Sequence, residues 1–169
     1  MIKKSFLILI ILLSFPAAIF GFGSKEKTAS AGSKTLLRNM DKYEQQWKSN
    51  KITNYTQEII YSRSNFPPEH ITITVSNNIV NEWSTNSERR NFSEDFIGSL
   101  TVENIFKTAR EALRYEPNSP FEFEISYNEK LGYITSFSRI PVGRNNINPP
   151  RGLNYRIEII SLEIIKGIL

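Results

Sequence analysis

Residues 121–140 read FEFEISYNEKLGYITSFSRI. Phe121, Phe123, Ile125 and Tyr127 alternate with Glu122, Glu124, Ser126 and Asn128, the period-two pattern of a strand with one buried face. Asn128 to Gly132 is read as a turn, and Tyr133 to Ile140 as the returning strand. A loop of this length that keeps the apolar row on the core is built most simply as a type I turn followed by a residue at positive φ. Glycine takes that conformation without steric cost, so Gly132 is expected at positive φ. The hairpin has one apolar face and therefore needs a covering layer.

Working back along the chain, that layer is found in two amphipathic segments. Thr101 is placed to N-cap a helix whose face comprises Val102, Ile105, Phe106, Ala109, Ala112 and Leu113, at spacings of three and four. Asn118 to Pro120 closes this section. An earlier helix runs from about Lys34 to Ser49, with Leu36, Leu37, Met40, Tyr43, Glu44 and Trp47 on one side and Ser33 as its expected N-cap. Between the helices lie further β signals. Asn54 to Arg63 (NYTQEIIYSR) reads as a strand with Tyr55, Ile59 and Tyr61 on one side, ended by Asn65-Phe66-Pro67-Pro68, since proline lacks the ladder donor. His70 to Ser76 alternates, Asn77-Asn78 supplies a two-residue turn, and Ile79 to Ser84 returns. Residues 85–100 read as an irregular loop pinned by Phe92, Phe96 and Ile97.

Past the opening hairpin, Pro141 to Asn154 is a long loop, and Tyr155 to Ile165 (YRIEIISLEII) is a last strand apolar enough to sit centrally or to be covered on both faces. The expected fold is α+β: an antiparallel sheet of five or six strands, two helices packed on one face, in the order α-β-β-β-α-β-β-β.

The N-terminus has a different character. Lys3 and Lys4 precede an apolar run from Phe6 to Phe20, then small residues at Gly21, Gly23 and Ser24, the grammar of a secretion signal. Residues 1–23 are read as that signal, cleaved before Ser24, and 24–33 as a flexible tether to one domain over 34–169. An uncleaved signal would serve as a membrane anchor. The domain is thus expected to be exported, whether periplasmic, on the cell surface or secreted. Cleavage removes Lys3 and Lys4 and lowers the formal net charge from +4 to +2, so no nucleic-acid footprint is expected. The absence of cysteine excludes disulfides, thiolate metal sites and cysteine nucleophiles.

Several of these features occur together in one known family. Trp47 lies before a strand opening at Asn54-Tyr55-Thr56. ITVSNNIV follows where the family pattern runs Val-x-Val-x-Asp-Gly-x-Val. Thr101-Val102-x-x-Ile105-Phe106 opens a helix, and Tyr127-Asn128-x-x-x-Gly132-Tyr133 forms the second hairpin. The chain, over about 36–165, resembles the bacterial exported family known as domain of unknown function 6174. It departs from the pattern at Asn78, in place of a turn glycine, at Ile134, in place of a proline, and in lacking the cysteines of many members. The resemblance implies fold and export, and carries no activity.

Residues of chemical interest are few. His70 is the only histidine, which excludes a two-histidine metal site within one chain, and it reads as an exposed strand-end residue. Glu122 and Glu124 share one strand face about 6–7 Å apart, a separation open to a carboxylate pair and equally to an ordinary solvated face. Asp41, Glu44, Glu94, Asp95 and Glu103 lack cation-loop spacing. Arg89-Arg90, Arg144, Arg151 and Arg156 read as solvated loop charge that an anionic partner could engage. The prominent aromatics, Trp47, Trp83, Tyr55, Tyr61, Tyr127 and Tyr133, read as core before binding surface. No catalytic, metal or cofactor residues are assigned. The favoured function is an exported, non-enzymatic binding or interaction domain of the bacterial cell envelope. The alternatives are a carboxylate-dependent hydrolase, and a structural surface protein or small inhibitor that works through the Pro141–Asn154 loop.

Overall fold

Tyr55, Gln57 and Ile59 on one strand face Val75, Ile73 and Ile71 on the next, and this apolar ladder anchors the sheet. The computed structural model describes residues 32–64, 66–87, 91–115, 121–141 and 154–166. The signal at 1–23, most of the tether, the Asn118–Pro120 stop and residues 142–153 of the long loop lie outside the described residues. The chain runs α1 (Ser33–Ser49), β1 (Tyr55–Arg63), β2 (Glu69–Ser76), β3 (Ile79–Thr85), α2 (Glu94–Gly98), α3 (Val102–Tyr115), β4 (Phe121–Tyr127), β5 (Ile134–Pro141) and β6 (Tyr155–Ile164).

The six strands form one antiparallel sheet in the order β3-β2-β1-β6-β5-β4. Two meanders, β1-β2-β3 and β4-β5, are joined only by β6, which pairs with β1 on one side and β5 on the other. Its apolar composition is explained by that central place, where Ile157 and Ile159 are buried. Strand alternation puts Tyr55, Ile59, Ile71, Ile73, Val75, Ile125, Phe137, Ile157 and Ile159 on one face. Leu36, Met40 and Trp47 of α1, Ile97 of α2, and Val102, Ile105, Phe106, Ala109 and Leu113 of α3 complete the same core. The opposite face carries Thr56, Glu58, Thr72, Thr74, Ser136, Glu158 and Glu163, half-buried or exposed.

The architecture is the one expected, with three local differences. Residues 85–100 are not wholly irregular, because α2 forms within them, with Ser93 Oγ accepting from the Phe96 N–H at 3.2 Å. Ser33 does not cap α1. It is the first helical residue, Gly32 precedes it, and no side chain caps that end. Gln57 lies in the apolar row of β1 and is fully buried; its amide donates to the Leu100 carbonyl in the turn between α2 and α3. Thr101 caps α3 as expected, its Oγ1 accepting from the Asn104 N–H at 3.4 Å.

Candidate functional site

One end of the sheet gathers the C-terminus of α1, the start of β1, the β2–β3 and β4–β5 turns, the start of α3 and the end of β6. The register fixes this: Tyr55, first in β1, pairs with Val75 on one side and Ile164 on the other. The turn residues Asn77 and Asn78 take φ of 52° and 64°, the left-handed pair that a two-residue hairpin requires. Their N–H groups donate to Asn54 Oδ1 at 2.9 Å and to the Thr53 carbonyl at 3.0 Å.

Beneath this end sits a polar brace. The Trp47 indole N–H donates to Glu103 Oε1 at 2.8 Å, and the Tyr55 hydroxyl donates to Glu103 Oε2 at 3.2 Å. The same hydroxyl accepts from the Val102 N–H at 3.0 Å. Trp47 packs edge-on against Tyr55 and Tyr133, at centroid distances of 5.6 and 6.1 Å. Burial, with the Glu103 charge added, pushes the Tyr55 phenol well above its ordinary range, so it stays a donor. Both carboxylate oxygens and the hydroxyl are occupied, and the trio ties α1, β1 and α3 together rather than presenting an acid–base pair.

The β4–β5 turn docks on α1. Asn128 Oδ1 accepts from the Lys130 and Leu131 N–H groups at 3.1 and 2.8 Å. Gln46 Nε2 donates to the Glu129 and Lys130 carbonyls at 2.6 and 3.1 Å, and Asn50 Nδ2 donates to the Leu131 carbonyl at 3.0 Å. Gly132 has φ of 85°, as expected, and Asn128 closes the loop by donating to the Tyr133 carbonyl at 2.8 Å.

Between this turn and the strand ends opens a cavity of about 360 Å³, walled by the 50–54 segment together with Leu131, Ile164 and Ile165. Its walls mix the polar residues Asn50, Thr53 and Asn54 with the apolar Ile52, Leu131, Ile164 and Ile165. Lys51 is the only charged residue on them. It is exposed and takes a left-handed φ of 51°, just past the end of α1. A second hollow, about 210 Å³, lies at the opposite end, on the face without helices, with Ser62, Ser138, Arg156 and Glu124 among its walls.

The family signature maps onto the first end. Trp47, Tyr55, Asn77-Asn78, Thr101-Val102, Asn128 and Gly132-Tyr133 all stand there, and a family model matches residues 39–140. The chain belongs to DUF6174. That family's description is one of unknown function. Comparison with curated proteins gives no match. The DUF6174 match runs from within α1 to within β5, so it includes Lys51, Glu103 and Gly132. It stops short of β6, which brings Ile164 and Ile165 to the cavity.

The residues singled out in the sequence are dispersed. His70 is exposed on β2, opposite Ile60. Glu122 and Glu124 are exposed on β4, on the open face, and only Glu124 reaches the smaller hollow. Arg156 pairs with Glu158 at 2.9 Å, while Arg89, Arg90, Arg144 and Arg151 lie outside the described residues. Glu44, counted on the apolar side of α1, instead binds Lys48 at 2.6 Å and Arg110 of α3. Among the described residues no set of His, Asp or Glu could hold a metal ion, and no helix is long and apolar enough to cross a membrane. Lys51 and the Trp47–Glu103–Tyr55 brace were not anticipated. The missing glycine after α1 was a signal for the first. The second joins residues 48 and 56 positions apart, beyond what any local spacing conveys.

Proposed function

We propose that this chain is an exported, non-enzymatic binding domain of the bacterial cell envelope, and that the cavity at the signature end is its binding site. The observation that carries the reading is the cavity itself. Its size falls within the roughly 300–1,000 Å³ of small-ligand sites, and its wall is mainly polar with Ile52, Leu131, Ile164 and Ile165 set among the polar groups. A rigid frame holds that wall: the Gln46 and Asn50 bonds fix the hairpin against α1, and the Asn77–Asn54 bond fixes the start of β1. Export is supported by the order of charge, apolar run and small residues at the N-terminus. Screening small-molecule mixtures against the chain by ¹⁵N–¹H NMR tests the reading. Saturable shifts confined to 50–54, 131 and 164–165 are expected, and a screen in which no compound perturbs these residues would overturn it.

A further inference from the structure

A residue just past a helix C-terminus in the left-handed conformation is ordinarily glycine, because a Cβ is strained there. Lys51 holds that position with φ of 51°. Backbone held in a disfavoured region is a recurrent mark of functional sites, and here it coincides with the sole charge on a cavity wall. The neighbouring α1 carbonyls are already satisfied: those of Gln46 and Trp47 accept from the Asn50 N–H, and that of Lys48 from the Lys51 N–H. No carboxylate pairs with Lys51 among the described residues. The facing wall shows the opposite anomaly. Ile164, last in β6, and Ile165 just after it are 44% and 42% exposed, and with Leu131 they line the same cavity.

We propose that the cavity takes a small carboxylate bearing a short aliphatic chain, with the carboxylate on Lys51 and the chain against Leu131, Ile164 and Ile165. This rests on the binding reading above and specifies its ligand. One lysine matches a monoanion, whereas a phosphate dianion would call for further cations or a planar arginine fork. The apolar side favours a chain over a bare anion, because covering the two isoleucines removes apolar surface from water.

Titrating the whole chain with sodium hexanoate, and separately with acetate and hexan-1-ol, tests the proposal by ¹⁵N–¹H NMR. Hexanoate should give saturable shifts at 50–54, 131 and 164–165, with an affinity about tenfold or more above that of acetate. Lys51→Gln should weaken hexanoate about tenfold, the loss of one charge-assisted contact, and Ile165→Ser should erase the advantage over acetate. Equal binding by Lys51→Gln, or no saturable shift with hexanoate, would overturn the proposal. Hexan-1-ol binding there while hexanoate stays silent would overturn the carboxylate assignment and leave the binding reading intact. A broad screen with no ligand at these residues would overturn both.

Discussion

Gly132 approaches α1 so closely that a Cβ built on it would stand 2.6 Å from the carbonyl oxygen of Tyr43, and 2.8 Å from both the Trp47 nitrogen and the Gln46 Cβ. The glycine is therefore required twice, once by its φ of 85° and once by the helix backbone crossing over it. Turn chemistry alone accounts for the first requirement. The second is a tertiary contact that makes this hairpin and α1 one unit, and the unit forms a wall of the cavity through Leu131.

Gly132→Ala should thus be nearly as damaging as Gly132→Val, although alanine is far less restricted in turns. The expected loss is roughly 2–5 kcal/mol, combining backbone strain with overpacking. Chemical denaturation of both variants checks this. An alanine variant close to wild type would remove the close approach from the account.

Glu103→Leu should leave the Trp47 and Tyr55 donors unpaired in a largely apolar setting and cost roughly 2–4 kcal/mol, whereas Glu103→Gln keeps an acceptor and should cost about half as much. Urea unfolding followed by tryptophan fluorescence would measure both. Equal losses would mean that the charge matters more than the satisfied donors.

Acid should weaken the contact between the helices. Burial alone would raise Glu44, but Lys48 and Arg110 outweigh it and hold its carboxyl below the ordinary value. A group depressed in this way contributes stability above its unfolded value of about 4.3 and loses it as pH falls through the folded value. Arg110 also donates to Asp41 at 2.6 Å. Arg110→Ala should therefore be less stable than wild type by roughly 1 kcal/mol at pH 6, with the gap closing as the pH falls below the ordinary carboxylate value of about 4.3. A gap in melting temperature that stays constant across this range would contradict the assignment.

The export reading makes its own prediction. Intact-mass analysis of periplasmic or secreted material should show an N-terminus at Ser24. A mass retaining Met1 to Gly23 would identify an anchor, and a cytosolic location would contradict export in either form.

Much of the fold was legible because its patterns are local. The alternation of Phe121 to Tyr127, the i, i+3, i+4 face of Val102 to Leu113, and the Asn77-Asn78 turn each announce an element within a few residues. The apolar run of β6 left open a central place or cover on both faces, and the sheet gives it the central place. What escaped depends on contacts distant in sequence, or on segments too short for periodicity to register. α2 is five residues long, so only Ser93 and the acidic pair after it could have signalled a helix start. Gln57 interrupts an apolar row, and the Leu100 carbonyl to which its amide donates lies 43 residues away. The cavity was illegible for the same reason: its walls come from 50–54, 131 and 164–165, brought together only when β6 joins the two meanders.

The most direct test of the cavity as a working site is Lys51→Gly, followed by thermal unfolding and hexanoate titration on the same sample. Glycine removes the left-handed strain, so the variant should gain up to about 1 kcal/mol of stability while its hexanoate affinity falls about tenfold through loss of the ammonium. Higher stability with weaker binding is the predicted result. Undiminished binding in Lys51→Gly would contradict the account.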